Sequence, residues 1–229
     1  MNNNVNTDTN AGVVKPEVPS GSPELTANPL GIPVLKPCFP SPDDLGILNS
    51  YLYGRLPSVA YPAILHFFTD DCRFNSIWTQ RKQFLGYLSY LAPKGMKYIC
   101  TPDFSCFRIH PPAVQIHNIY RSAEIGRLMQ ANGYKVIPSV TWSDVSSYWY
   151  SFLGLPRESV YAIPFRRGDD SRHFWDGLFY FCHRWRPALL LVFCVRSNQT
   201  VFHQTFQRIN LRFGLKLNYV FLDFHTEVN

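Results

Sequence analysis

The stretch Ala188-Leu-Leu-Leu-Val-Phe-Cys194 is apolar at every position. A strand with one face on water alternates apolar and polar residues, so a run without alternation marks a strand covered on both faces, as parallel strands are in α/β proteins. Five other short apolar runs recur around it at roughly even spacing: Ala63–Phe68, Met96–Cys100, Lys135–Val140, Ser159–Ile163 and Asn218–Leu222. Between them apolar residues fall at helical spacing, at Phe84, Leu88 and Leu91, at Ile125, Leu128 and Met129, at Phe174, Leu178, Phe181 and Trp185, and at Phe202, Phe206, Ile209 and Phe213. Gly95, Gly133 and Gly214 each stand just before a strand candidate, where a helix ends in a left-handed cap. The pattern predicts an α/β fold of repeated βα units with a mainly parallel sheet. Six units suit a TIM-barrel-like or incomplete barrel, the preferred reading because no glycine-rich first turn marks a nucleotide crevice; an open doubly wound sheet is the alternative.

The chain has 229 residues, of which 46% are hydrophobic and 17% charged. That is enough apolar material to bury a core, which excludes wholesale disorder. No stretch approaches the roughly 18 to 20 apolar residues of a membrane-spanning helix, so no membrane is expected as a partner. Residues 1–28, rich in Asn, Thr, Pro, Gly and Ser, read as a disordered tail. The remainder, 29–229, reads as a single α/β domain with a proline-rich extended arm at 29–58. Ser41 and Pro42 are placed to start a short helix within that arm, as N-cap and first helical residue. The six cysteines show no C-x-x-C or Cys/His ligand spacing, and the N-terminus shows neither the cationic start nor the apolar stretch of a secretory signal. A reducing, cytoplasmic setting is therefore expected.

In barrels and open α/β sheets alike, ligands bind at the carboxyl ends of the strands. The residues just after each run are Thr69, Asp70, Asp71 and Arg73; Asp103 and Ser105; Thr141, Trp142 and Asp144; Arg166, Arg167, Asp169 and Asp170; Arg196; and Asp223 and His225. Paired carboxylates can divide general-acid and general-base work, or hold a divalent ion through oxygen. Asp70, Asp103 and Asp223 are the catalytic candidates on this ground. Each also suits a humbler role, because an Asp after a strand caps the next helix by accepting from its first-turn amides. Asp144 and Asp170 fit that role best. Arg166 can offer a guanidinium to phosphate or carboxylate, and Arg121 is placed to pair with a rim carboxylate such as Asp103. His66, inside a strand run, reads as a core histidine. Walker, G-x-G-x-x-G, G-x-S-x-G and H-E-x-x-H motifs are missing, so no cofactor and no metal site is assigned.

The net charge is +6, and the acidic balance of the tail leaves the rest more basic still. Interleaved aromatics such as Tyr148-Trp149-Tyr150 add stacking faces, which makes nucleic acid a candidate partner.

Several motifs, in order, resemble one family. They are Asn28-Pro-Leu-Gly-Ile-Pro33, His66-Phe-Phe-Thr-Asp70 with Phe74 and Trp78, Thr101-Pro-Asp-Phe-Ser105, Gln115-Ile-His-Asn-Ile-Tyr-Arg121, Gly133-Tyr-Lys-Val-Ile-Pro138 and Val140-Thr-Trp-Ser-Asp144. Together they resemble domain-of-unknown-function family 4417, met in phages, plasmids and other mobile elements. The resemblance covers roughly residues 29–168 and departs from the family pattern at Phe165-Arg-Arg-Gly168. It implies a genomic setting and marks Asp70, Asp103, Asn118, Arg121, Trp142 and Asp144, without implying a reaction. The expectation is a hydrolase-like site at the strand ends, with Asn118, Arg121, Trp142, Asp144 and Arg166 as ligand-binding residues. The alternative is a noncatalytic module that binds nucleic acid or a host protein. Whether the chain is an enzyme, and in what oligomeric state, stays open at this level.

Overall fold

The computed structural model describes residues 28–45, 48–55, 62–166 and 172–224. Among them lie seven strands and six α-helices. The strands are β1 (Asn49–Leu52), β2 (Ala63–His66), β3 (Met96–Cys100), β4 (Val136–Ile137), β5 (Val160–Pro164), β6 (Leu189–Phe193) and β7 (Tyr219–Leu222). The helices are α1 (Pro42–Leu45), α2 (Arg81–Leu91), α3 (Pro112–Ala131), α4 (Tyr148–Ser151), α5 (Arg172–Trp185) and α6 (Gln199–Phe213). All six expected strands are present, and α2, α3, α5 and α6 carry the expected apolar spacing. The glycines before β3, β4 and β7 are left-handed, with φ of 93°, 82° and 61°.

Every ladder is parallel, in a four-stranded sheet β1-β2-β3-β4 and a three-stranded sheet β5-β6-β7. A single parallel bridge, Ser139 to Ala162, links them, with Val140 N donating to Ala162 O and Ala162 N to Pro138 O, both at 2.9 Å. The strands thus follow one another in chain order, without the reversal that opens a crevice in a doubly wound sheet. At the far edge Ser50 Oγ donates to the Asp223 carbonyl, and His66 Nε2 lies 2.9 Å from the Phe224 carbonyl. No ladder joins β7 to β1 among the described residues, so the sheets remain four- and three-stranded rather than one closed cylinder.

The double-faced burial read from Ala188–Cys194 is visible in the core. Leu191 and Phe193 point into a cluster shared with Ile64, Tyr98, Cys100, Ile137, Val160, Ala162 and Leu222, drawn from six strands. Their neighbours Leu190, Val192 and Cys194 pack the other way, among Leu178, Phe181, Phe202 and Phe206 of α5 and α6. On β2 and β3, Leu65 and Ile99 likewise face Phe84 and Leu88 of α2 and Ile125 and Met129 of α3. At about 1.5–3 kcal/mol for each fully buried large apolar side chain, these three clusters dominate the stability of the fold.

The segment ahead of β1 crosses the outside and then covers the amino ends of the strands. Ile32 packs with Ile119, Ala123 and Tyr150, and Leu35 N donates to Gly154 O at 3.1 Å. Gln130 of α3 exchanges two hydrogen bonds with the Lys36 backbone, at 2.8 and 2.9 Å. Cys38 N then donates to Ser159 Oγ (3.1 Å), and α1 starts as expected, with Asp44 N donating to Ser41 Oγ (3.2 Å). The buried Asp44 carboxylate is held by Lys97 and, at 2.7 Å, by Tyr98 Oη. These hydrogen bonds, the one from Lys97 first, keep its carboxyl well below the usual carboxylate range. β1 departs from the expected arm at 29–58: its four residues alternate half-buried and buried and include only two apolar side chains, too little for a strand signal. The expected tail over residues 1–28 lies, save Asn28, outside the described residues. No helix among those described is long and apolar enough to cross a membrane.

Candidate functional site at the carboxyl ends of the strands

The carboxyl ends of β2 to β5 surround a cleft of about 180 Å³. Thr69 follows β2. Asp103, Ser105, Cys106 and Phe107 follow β3, and Thr141 and Trp142 follow β4. Pro164 ends β5 and Arg166 follows it, while Phe174 comes from the first turn of α5. Three aromatic rings, one carboxylate, one guanidinium and several hydroxyls therefore share one space. Of the catalytic and ligand-binding candidates read from the sequence, the structure brings together Asp103, Trp142 and Arg166.

The exits of β3 and β4 are tied by a reciprocal pair, Ser139 N to Thr101 Oγ1 (2.8 Å) and Ser139 Oγ to Thr101 O (2.7 Å). From there the loop carrying Asp103 is held from behind. Asp71 accepts from Ser105 N (3.1 Å) and Ser105 Oγ (2.9 Å), while Asn118 Nδ2 donates to Ser105 O (2.7 Å). Arg121 donates to Asn118 Oδ1 (2.7 Å) and Asn75 Oδ1 (2.6 Å), with its guanidinium 3.8 Å from the centre of the Phe104 ring. Burial lowers the Arg121 pKa, and the nearby Asp71 charge works against that shift. Asn118 and Arg121 do not line the cleft; they brace its wall. The carboxylate beside Arg121 is Asp71, where the sequence reading had suggested Asp103.

Trp142 is fixed on two sides. Its Nε1 donates to His173 O (3.2 Å), and its ring stacks on Phe174 with centroids 5.3 Å apart. Beneath it lies Gly177 of α5, where an added Cβ would stand 2.0 Å from Trp142 Nε1. Helix α5 needs glycine there so that the indole can lie against its backbone. Arg108 Nη1, 2.8 Å from His173 Nε2, ties the loop after β3 to the same turn of α5.

The remaining candidates lie elsewhere. Asp70 is exposed, at the cap position of the short turn 71–73, and its carboxylate makes no capping hydrogen bond. Asp223 is exposed after β7. Asp144 accepts from Ser146 N (3.0 Å) and Ser146 Oγ (2.6 Å), a capping geometry that lowers its pKa. Arg167, Asp169, Asp170 and His225 lie outside the described residues. His66 is fully buried among Phe68, Phe193 and Phe224, with Phe68 N donating to its Nδ1 (3.3 Å).

Cys106, Phe107, Phe174 and Gly177 were not singled out from the sequence as site residues. Phe174 reads there as helix core, and an isolated Gly177 in a helical pattern was the one available hint of close approach. All six cysteines are free. Burial first, then the Asp103 charge, pushes the Cys106 thiol up to about 12, so it stays protonated near neutrality and is not a thiolate nucleophile. Among the described residues no three His, Cys, Asp or Glu side chains are grouped to hold a metal ion.

Parallel βα units with a polar, aromatic-walled cleft at the strand ends place the protein among α/β proteins. The chain matches the family described as "Domain of unknown function (DUF4417)" over residues 25–210, and it belongs to that family. The match runs through α5 and into α6, well past the motifs that carried the resemblance. Similar proteins include the Gene 1 protein of Mycobacterium phage D29, 31% identical over 166 residues, or 71% of this chain and 59% of that protein. The Gene 1 protein of Mycobacterium phage L5 is 35% identical over 133 residues, 56% of each chain. The chain thus spans a little over half the length of these relatives. No solved structure matches it.

Proposed function

We propose that the cleft binds one nucleotide unit, free or within a nucleic acid, in the cytoplasm of a phage-infected cell. The observation that carries this reading is the meeting of Phe107, Trp142 and Phe174 with Arg166 and a single described carboxylate, Asp103, in about 180 Å³. Pockets that enclose drug-sized ligands run to about 300–1,000 Å³, so this one suits a single ring system with the rest of its ligand on the rim. The aromatic walls offer stacking, worth about 1–3 kcal/mol per base. Arg166 offers a charge-assisted hydrogen bond to phosphate. Asp103 accepts from ring N–H and amino groups, which favours a base with a donor edge such as guanine.

The hydrolytic reading asked Asp70, Asp103 and Asp223 to act together. Of these only Asp103 faces the cleft, which supports binding more than acid–base division of labour.

Titration with guanosine monophosphate, followed by tryptophan fluorescence, tests the proposal. The expected result is saturable quenching that ribose 5-phosphate does not reproduce, weakened at least tenfold by Arg166→Gln and lost in Trp142→Leu. Equal responses to both probes, or none to either, refute it.

A further inference from the structure

The opposite end of the strands carries a second surface. Each described loop that enters β3, β4, β5, β6 or β7 delivers a cation: Lys94, Lys135, Arg157, Arg186 and Lys216 in turn. Four of the five are exposed, and Lys94 is half-buried against Tyr90. The acids at this end are Asp43, Glu158 and Asp44, and Asp44 is already engaged by Lys97. The undescribed residues 46–47 and 56–61 contain no charged side chain.

Backbone hydrogen bonds hold these loops in a row. Ala188 N donates to Ser159 O (2.9 Å), Leu190 N to Asn218 O (2.9 Å) and Glu158 N to Trp185 O (3.1 Å). Glu158, Arg186 and Lys216 share the lining of a cavity of about 310 Å³. Glu158 and Arg186 are both left-handed (φ 52° and 48°), a conformation rare for non-glycine residues, which sets the direction in which the chain presents them. With neighbouring strands about 4.8 Å apart, the five cations span up to roughly 20 Å.

Cations after helices also offset the partial negative charge at helix carboxyl ends. That accounts poorly for Arg157, which follows only the four-residue α4. We propose that this amino-end face binds the phosphate backbone of nucleic acid, independently of the cleft. An anionic membrane is the weaker fit, because a membrane-docking face needs a cluster of apolar side chains. Exposed large apolar residues stand at both ends, Phe107, Ile109, Val145, Trp149 and Val195 at the carboxyl end and Phe39, Tyr90 and Leu211 toward this one, so apolar surface is not concentrated on the cationic face.

The test is fluorescence anisotropy of a labelled 20-base-pair duplex DNA with the full chain, across 25 to 300 mM NaCl. The triple variant Lys135→Gln, Arg186→Gln, Lys216→Gln is compared with an equal charge change on exposed residues of the other end, Arg73→Gln, Arg172→Gln, Arg196→Gln. Circular dichroism checks that both fold. Each lost phosphate contact flattens the plot of log affinity against log salt by about 0.9, so the amino-end triple should lose roughly 2.7 in slope and bind at least tenfold more weakly at 100 mM salt. The control should change affinity less than threefold. Absence of wild-type binding at 25 mM salt, equal losses in both triples, or binding to phosphatidylserine vesicles but not to DNA would each overturn the proposal. A cleft variant such as Trp142→Leu should leave this binding intact, so this surface and the cleft fail or stand separately.

Discussion

Replacing Gly177 with alanine should dislodge Trp142 from the cleft wall. The added Cβ would lie 2.0, 2.4 and 2.5 Å from Trp142 Nε1, Cε2 and Cδ1. Helix backbone cannot yield by that much, so the indole must move. Its hydrogen bond to His173 O and its stacking on Phe174 go with it. Overpacking costs about 1–3 kcal/mol, the hydrogen bond about 0.5–1.5 and the aromatic pair about 0.5–1.5. Alanine's better helix propensity returns about 1 kcal/mol. These contributions overlap, and the net loss should be about 1–4 kcal/mol, or roughly 2–4 °C of Tm per kcal/mol for a chain of this size. Thermal unfolding, the tryptophan emission spectrum and guanosine monophosphate titration read the three consequences: a lowered Tm, an altered emission maximum and weakened binding. A Tm within 1 °C of wild type, with unchanged emission and affinity, would refute the packing of Trp142 on α5.

Three further expectations follow from other parts of the fold. The Asp44 carboxyl titrates lower in the folded state than in the unfolded chain, so its contribution is present above the ordinary carboxylate pKa and fades as pH falls below about 4; urea unfolding should show Asp44→Asn less stable than wild type at pH 7, with the gap closing toward pH 2. Among the six free cysteines, exposed Cys72 should react rapidly with a thiol reagent at pH 8 while Cys106 reacts only on unfolding; mass spectrometry showing fast labelling at Cys106 would contradict the assigned burial. Phe193, fully buried where β6 meets the shared interior cluster, should cost about 3–5 kcal/mol on replacement by alanine, and a change below 1 kcal/mol in urea unfolding would show that the strand does not face that interior.

The fold was legible where the signal is local or repetitive. A run such as Ala188–Cys194 cannot satisfy both of its faces unless both are covered, and the glycines at 95, 133 and 214 marked where helices give way to strands. β1 escaped because Tyr51 and Leu52 offer no run, and its place follows from pairing with β2 across undescribed chain. The site was legible only in part. Position after a strand located Asp103, Trp142 and Arg166 correctly at one rim. It could not tell a side chain that faces the cleft from one that braces it, because Asn118 and Arg121 reach their places through hydrogen bonds to a loop 13 and more residues away. Phe107 and Phe174 were hidden by an aromatic content that mostly fills core.

In the proposed mode of binding a ring stacks in the cleft beside Trp142. Fluorine NMR of protein carrying 5-fluorotryptophan at its five tryptophans, with the Trp142 signal assigned through Trp142→Phe, tests it most directly. On titration with guanosine monophosphate the Trp142 resonance should shift first and furthest, with Trp78 and Trp185 unmoved. A stationary Trp142 signal while guanosine monophosphate binds, or no shift at any tryptophan at millimolar ligand, would contradict the account.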